Sequence, residues 1–126
     1  MKKSISIWSF YGDWDLKQKF QIAKDAGFEG FEIDLSRDGP ITLDSTDEDL
    51  DAIAEQASDA GITLSGVATG MYWEFNPASA KDEIRAKAQQ VLEKQIRVAS
   101  RLHIDTILVV PGAVGADFIP DCEEIP

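Results

Sequence analysis

The chain has 126 residues, 44% of them hydrophobic and 28% charged, which suits one folded domain and excludes a disordered segment. Twelve Lys and Arg stand against 23 Asp and Glu, a net charge of −11, so phosphate backbones and anionic lipid surfaces are repelled and neither nucleic acid nor membrane is an expected partner. The one cysteine, Cys122, excludes an internal disulfide, and His103 is the only histidine.

In chain order the pattern predicts a strand over 4–10, a helix over 14–26, a strand over 28–35, a helix over 47–60, a strand over 62–69, a helix over 78–102 and a strand over 104–110. Leu16, Phe20, Ala23 and Gly27 share one face of the first helix. Leu50, Ile53, Ala54, Ala57 and Ala60 do so in the second, and Ile84, Ala88, Val91, Leu92, Gln95, Ala99 and Leu102 in the third. Asp13 or Asp15 can cap the first helix; Thr46-Asp47-Glu48-Asp49 and Ser79-Ala80-Lys81-Asp82 read as capping boxes. Asn76-Pro77 marks a turn before the third helix. No apolar run reaches the roughly 18 residues of a membrane span, and Ser4 to Phe10 is too short and polar for a signal-peptide core, so the chain reads as cytoplasmic.

The chain repeats itself. Asp25-Ala26-Gly27-Phe28 and Asp59-Ala60-Gly61-Ile62 each place a glycine between a helix and an apolar strand, and Leu102-His103-Ile104 is a weaker third copy with histidine in the glycine's place. Glycine just past a helix relieves a left-handed turn. Strands alternating with helices imply right-handed crossovers and a parallel sheet, either an open doubly wound sheet or part of a (β/α)8 barrel. A whole barrel needs about 250 residues. The expectation over 1–126 is therefore a single domain, the first half of a barrel (β1-α1-β2-α2-β3-α3-β4), its remainder missing, cleaved or supplied by another chain. The alternative is a non-enzymatic, flavodoxin-like open sheet that binds a small ligand or a protein.

Ligands of parallel α/β folds sit at the C-terminal strand ends. Alternation puts Glu32, Asp34 and Gly30 on one face of the second strand and Phe31, Ile33 and Leu35 on the other. Carboxylates on an inward face are costly unless they meet a ligand or a partner. Trp8, Phe10, Tyr11 and Trp14 cluster after the first strand, and Met71, Tyr72, Trp73 and Phe75 after the third, as two aromatic walls. Pro111-Gly112-Ala113-Val114-Gly115 would let backbone approach a ligand, although neither a GxGxxG fingerprint nor a Walker motif occurs. Cys122 has no base nearby in sequence, and His103 falls at a helix end, at the bottom of the fold.

The segments DAGFEGFEI, DAGITLSGVAT and IDTILVVPG, following an aromatic-rich first loop, resemble the N-terminal half of the xylose isomerase-like TIM-barrel superfamily, and the resemblance runs the length of the chain. Glu32 matches the acid common in that family's second strand and Gly112 the glycine after its fourth. The resemblance implies a sugar or sugar-phosphate isomerase or epimerase that moves a proton next to a carbonyl with a divalent metal (Mn, Mg, Co or Zn). In the epimerase branch the metal ligands lie on strands five to eight, so this half would hold no metal and would be inactive alone. Endonuclease-type members carry histidines after strands three and four; here the matching positions, near Thr69 and Val110, have none. The expected substrate walls are Trp8, Tyr11, Glu32, Thr69, Tyr72, Trp73 and Gly112, and the expected partner is a second copy or the missing C-terminal half.

Overall fold

The computed structural model describes residues 1–116; Cys122 and the acidic tail lie outside the described residues. Three parallel strands, β1 (Ser4–Ser6), β2 (Gly30–Leu35) and β3 (Thr63–Thr69), lie in sequence order and are joined by helices α1 (Leu16–Asp25) and α2 (Asp47–Ala60); α3 (Asp82–Arg101) follows β3. This is the arrangement of a barrel's first arc, with strands added in chain order and each crossover covered by a helix.

The helices form where their end signals lie. Asp15 accepts from the Gln18 amide at 2.8 Å while the Gln18 side chain accepts from the Asp15 amide, and Thr46 and Asp49 do the same for α2. The Thr46 backbone and hydroxyl hydrogen bonds hold the Asp49 carboxyl below the usual carboxylate range. Helix α3 departs from expectation: it begins at Asp82, and Lys81 at its cap position makes no side-chain cap bond. The Ser79 hydroxyl accepts from the Lys81 amide at 3.2 Å and the Asn76 carboxamide from the Ala78 amide at 3.0 Å, so these side chains stabilise a turn where the helix was predicted to run.

The repeat is a structural one. Gly27, Gly61 and His103 all have positive φ, at 85°, 67° and 55°. In each copy the next amide reaches back five residues to a buried alanine: Phe28 to Ala23 at 3.0 Å, Ile62 to Ala57 at 3.0 Å and Ile104 to Ala99 at 2.8 Å. That is the bond of a Schellman motif, which ends a helix and aims the chain into the next strand. His103 takes the left-handed conformation with a β-carbon, which costs about 1 kcal/mol. His103→Gly is therefore expected to raise stability by roughly 0.5 kcal/mol after glycine's larger chain entropy is subtracted, measured as an upward shift of the urea midpoint.

β2 and β3 start two and one residues later than predicted, and the other two predicted strands differ more. β1 stops at Ser6 because the Ser6 hydroxyl accepts from the Trp8 amide and the chain curls into a 3-10 turn over Ile7–Ser9. The predicted fourth strand is extended chain with one parallel bridge, Ile107 beside Val67, made by Val67 N–H to Thr106 O at 3.1 Å and Leu108 N–H to Val67 O at 2.9 Å. The Leu108 carbonyl, which a continued ladder would aim at β3, accepts instead from the Gln95 carboxamide of α3 at 2.9 Å.

The core fills the space between sheet and helices. Phe31, Ile33 and Leu35 of β2 are fully buried there with Phe20, Leu50, Val67, Val91 and Val98. Outside it, α2 and α3 are joined by the Arg97–Asp47 pair at 2.9 Å and a bidentate Arg101–Asp51 pair, and the Arg101 guanidinium holds the Asp51 carboxyl below its usual range. Such exposed pairs fix register more than they stabilise. Among the described residues no helix is long and apolar enough to cross a membrane.

Candidate functional site at the strand ends

The face of the sheet turned away from the helices is small and polar. Register pairs Ser4 with Gly30, Ser6 with Glu32, Glu32 with Gly66 and Asp34 with Ala68. The Ser4 and Ser65 hydroxyls bond each other at 2.5 Å, and a β-carbon on Gly30 would meet both side chains at 3.0–3.2 Å. Above them, Glu32 lies against Gly66, where an added β-carbon would be 3.6 Å from Glu32 Cγ. The predicted alternation on β2 holds: both carboxylates are half-buried on this face and the three apolar side chains are buried on the other.

At the C-terminal strand ends an open cleft of about 290 Å³ is lined by Trp8, Asp34, Ser36, Arg37, Gly70, Met71 and Glu74. The 3-10 turn after β1 carries the Trp8 indole back over the sheet, where its Nε1–H donates to Asp34 Oδ2 at 3.2 Å. Arg37 crosses the mouth: its Nε donates to Glu74 Oε2 at 2.8 Å, its Nη2 to Oε1, and its guanidinium stands 5.7 Å from the Phe75 ring centre. The cleft thus offers an indole, a carboxylate with one oxygen bonded to that indole, and a charge-paired arginine. Such a set suits the apolar faces and hydroxyls of a polyol. A larger cleft, about 460 Å³, lies between α1 and α2 and is lined by residues of those helices and their ends, away from the strand tops.

The structure separates the predicted site residues. Trp8 is 52% exposed in the cleft, Glu32 is half-buried on the polar face below, and Tyr11 and Trp73 are exposed on the loops after β1 and β3. Thr69 and Tyr72 are instead part of the core. The Thr69 hydroxyl donates to Leu35 O at 2.7 Å and accepts from the Met71 amide at 3.1 Å. Tyr72 is 2% exposed, its hydroxyl donates to Gln95 Oε1 at 2.9 Å, and burial pushes its phenol up. At Gly112 a β-carbon would lie 2.5 Å from that of Ala78, so its backbone packs against the loop after β3. Phe10, predicted in the aromatic wall, turns inward against Phe31 with centroids 5.5 Å apart.

Four residues of the site and its supports carried no sequence signal of this role. Arg37 and Glu74 are 37 positions apart, at no motif spacing. Gln95 was predicted only as part of a helix face, yet it is fully buried and also donates to Val67 O at 2.8 Å. Asn76 was predicted as a turn residue, and its side chain holds a second loop. Among the described residues no group of three or more His, Cys, Asp or Glu stands together as metal ligands.

A family model described as xylose isomerase-like TIM barrel matches residues 20–125. No curated protein sequence matches the chain. Among solved structures, a D-psicose 3-epimerase crystallised in the presence of D-fructose superposes with a TM-score of 0.65 at 23% identity, over 85% of this chain and 36% of that one. The D-psicose 3-epimerase of Clostridium cellulolyticum H10, with D-tagatose, gives 0.64 at 23% identity over the same shares. The D-threo-3-hydroxyaspartate dehydratase of Delftia sp. HT23 gives 0.52 at 20% identity, over 86% of this chain and 31% of that one. The chain thus spans about a third of the length of these structures, and at such identities the likeness is one of fold.

Proposed function

Because the chain belongs to the xylose isomerase-like TIM-barrel family, we propose that it is the first arc of a barrel enzyme that isomerises or epimerises a sugar or sugar phosphate by proton transfer next to a carbonyl. Its part is the substrate wall. The observation that carries this reading is the Trp8–Asp34 pair in the cleft at the strand ends, where (β/α)8 folds bind ligands, with Glu32 lower on the same polar face. Trp8 supplies a surface for the sugar's C–H face and Asp34 and Glu32 accept from its hydroxyls, with Tyr11 and Trp73 on the surrounding loops. Thr69, Tyr72 and Gly112 serve the wall from behind. The proton-transfer groups and the divalent metal belong to strands this chain does not supply, and the arc pairs with those strands or with a second copy.

The test is turnover, with D-fructose and D-tagatose as probes in the presence of Mn2+. The purified chain alone is expected to be inert. A polypeptide that adds the remaining strands is expected to interconvert ketoses, and Trp8→Ala or Asp34→Ala in it to lower kcat/KM by about a hundredfold through lost orientation. Turnover by the chain alone, or full activity in both variants, would overturn the assignment.

A further inference from the structure

The segment 74–76 touches the loops on both sides of its own. Glu74 reaches back to Arg37, on the loop after β2, through the bidentate pair, with the Phe75 ring beneath the guanidinium. Asn76 reaches forward to the loop after the predicted fourth strand: its Nδ2–H donates to Ala113 O at 2.7 Å, and its Oδ1 accepts from the Ala113 amide at 3.1 Å and the Ala78 amide at 3.0 Å. Asn76 is 4% exposed, so these are bonds made largely out of water, where leaving a partner unmet is expensive. Gly112 seals the same junction, because only a residue without a β-carbon lets its backbone lie on Ala78. Segment 74–76 is fixed in turn from below. Phe75 N–H donates to Met71 O at 2.8 Å, Met71 N–H to Thr69 Oγ1 at 3.1 Å, and that hydroxyl to Leu35 O at 2.7 Å.

We propose that Glu74 and Asn76 are positioning residues that lock the loops after three successive strands into one rim, so that a ligand entering the cleft beside Trp8 meets a wall that shifts as a unit. A buried amide link at Asn76 and an exposed but bidentate ion pair between Arg37 and Glu74, in series, transmit a displacement that unlinked loops would absorb independently. The functional half of the claim rests on the sugar-binding reading of the cleft; the mechanical half does not.

Amide hydrogen exchange on the chain separates the two. Asn76→Ala is expected to speed exchange at Ala113 about tenfold and, through the rim, to speed Ser36 and Phe75 about threefold. Glu74→Gln is expected to speed Ser36 and, reciprocally, Ala113. The amides of Ile33 and Val67 report whether the core is intact and are expected to stay unchanged. Asn76→Asp keeps the acceptor for the Ala113 amide and loses the donor to Ala113 O, and is expected to speed exchange at Ala113 less than Asn76→Ala. Effects confined to each variant's own loop would overturn the single rim. With D-fructose added to the wild type, slowed exchange in all three loops together supports the rim's role in binding. Slowing in one loop alone would refute that role, and no slowing anywhere would count against the sugar reading while leaving the apo coupling intact.

Discussion

Gln95→Leu is expected to destabilise the chain by about 3 kcal/mol, a shift readable in urea melts followed by tryptophan fluorescence. Leucine nearly fills the volume, so the loss is polar. The Gln95 carboxamide accepts from the Tyr72 hydroxyl and donates to the Val67 carbonyl, both in the interior, and donates to the part-buried Leu108 carbonyl. Val67 O keeps its bond from the Leu108 amide. The buried Tyr72 hydroxyl loses its partner, at about 1–3 kcal/mol, and the part-buried Leu108 O loses its own at a smaller cost. Gln95→Glu is expected to cost more than leucine at neutral pH, because an ionised side chain would face two carbonyl oxygens. A leucine variant as stable as the wild type would show that the predicted fourth strand is not held by this residue.

Phe31→Ala is expected to cost about 4 kcal/mol, a large share of the roughly 5–15 kcal/mol that holds a domain together. Phe31 is fully buried in the first half of β2. It meets the Phe20 ring edge-on at 84° with centroids 4.8 Å apart, and the Phe10 ring at 5.5 Å. Truncation removes two aromatic contacts and leaves a void that neighbours on a sheet can close only in part. Phe31→Leu retains most of the volume and is expected to lose half as much or less. The effect reaches the site, since Phe10 is the last residue before the loop carrying Tyr11. Thermal melts of the two variants, with proteolysis of the 11–15 loop as the local readout, check both parts.

The repeated βα unit was legible because three separate signals coincide: a helical stripe, a left-handed cap and an apolar run. Helix α2 matches its predicted span, 47–60, because Thr46 and Gly61 mark both ends with side-chain and backbone chemistry. The inward pair Glu32 and Asp34 was legible because β2 alternates without interruption.

Strand β3 lies where it was expected, but the facing of Thr69 depends on a feature that alternation cannot reveal. The register slips between Phe31 and Glu32, so Leu64 pairs with Phe31 while Gly66 pairs with Glu32. Ser65 is the extra residue of a bulge, and beyond it every side chain changes face. Thr69 therefore points to the helices with Val67 instead of into the cleft. Gly112 and Asn76 met their partners across 34 and 37 positions, and no local pattern encodes a contact of that reach. The short β1 has a local cause, a serine hydroxyl that competes with the ladder for an amide.

The central claim is that the polar face of this arc ends in a sugar-binding wall built on Trp8, Glu32 and Asp34. A nitrogen-resolved NMR titration of the chain with D-fructose tests it most directly. The expected result is a saturable shift of the Trp8 indole N–H, which is bonded to Asp34, together with the amides of Glu32 to Leu35. Shifts confined to the opposite end of the sheet, around Lys3, Lys24 and Gly61, or an indole signal that stays still at saturating sugar, would contradict it.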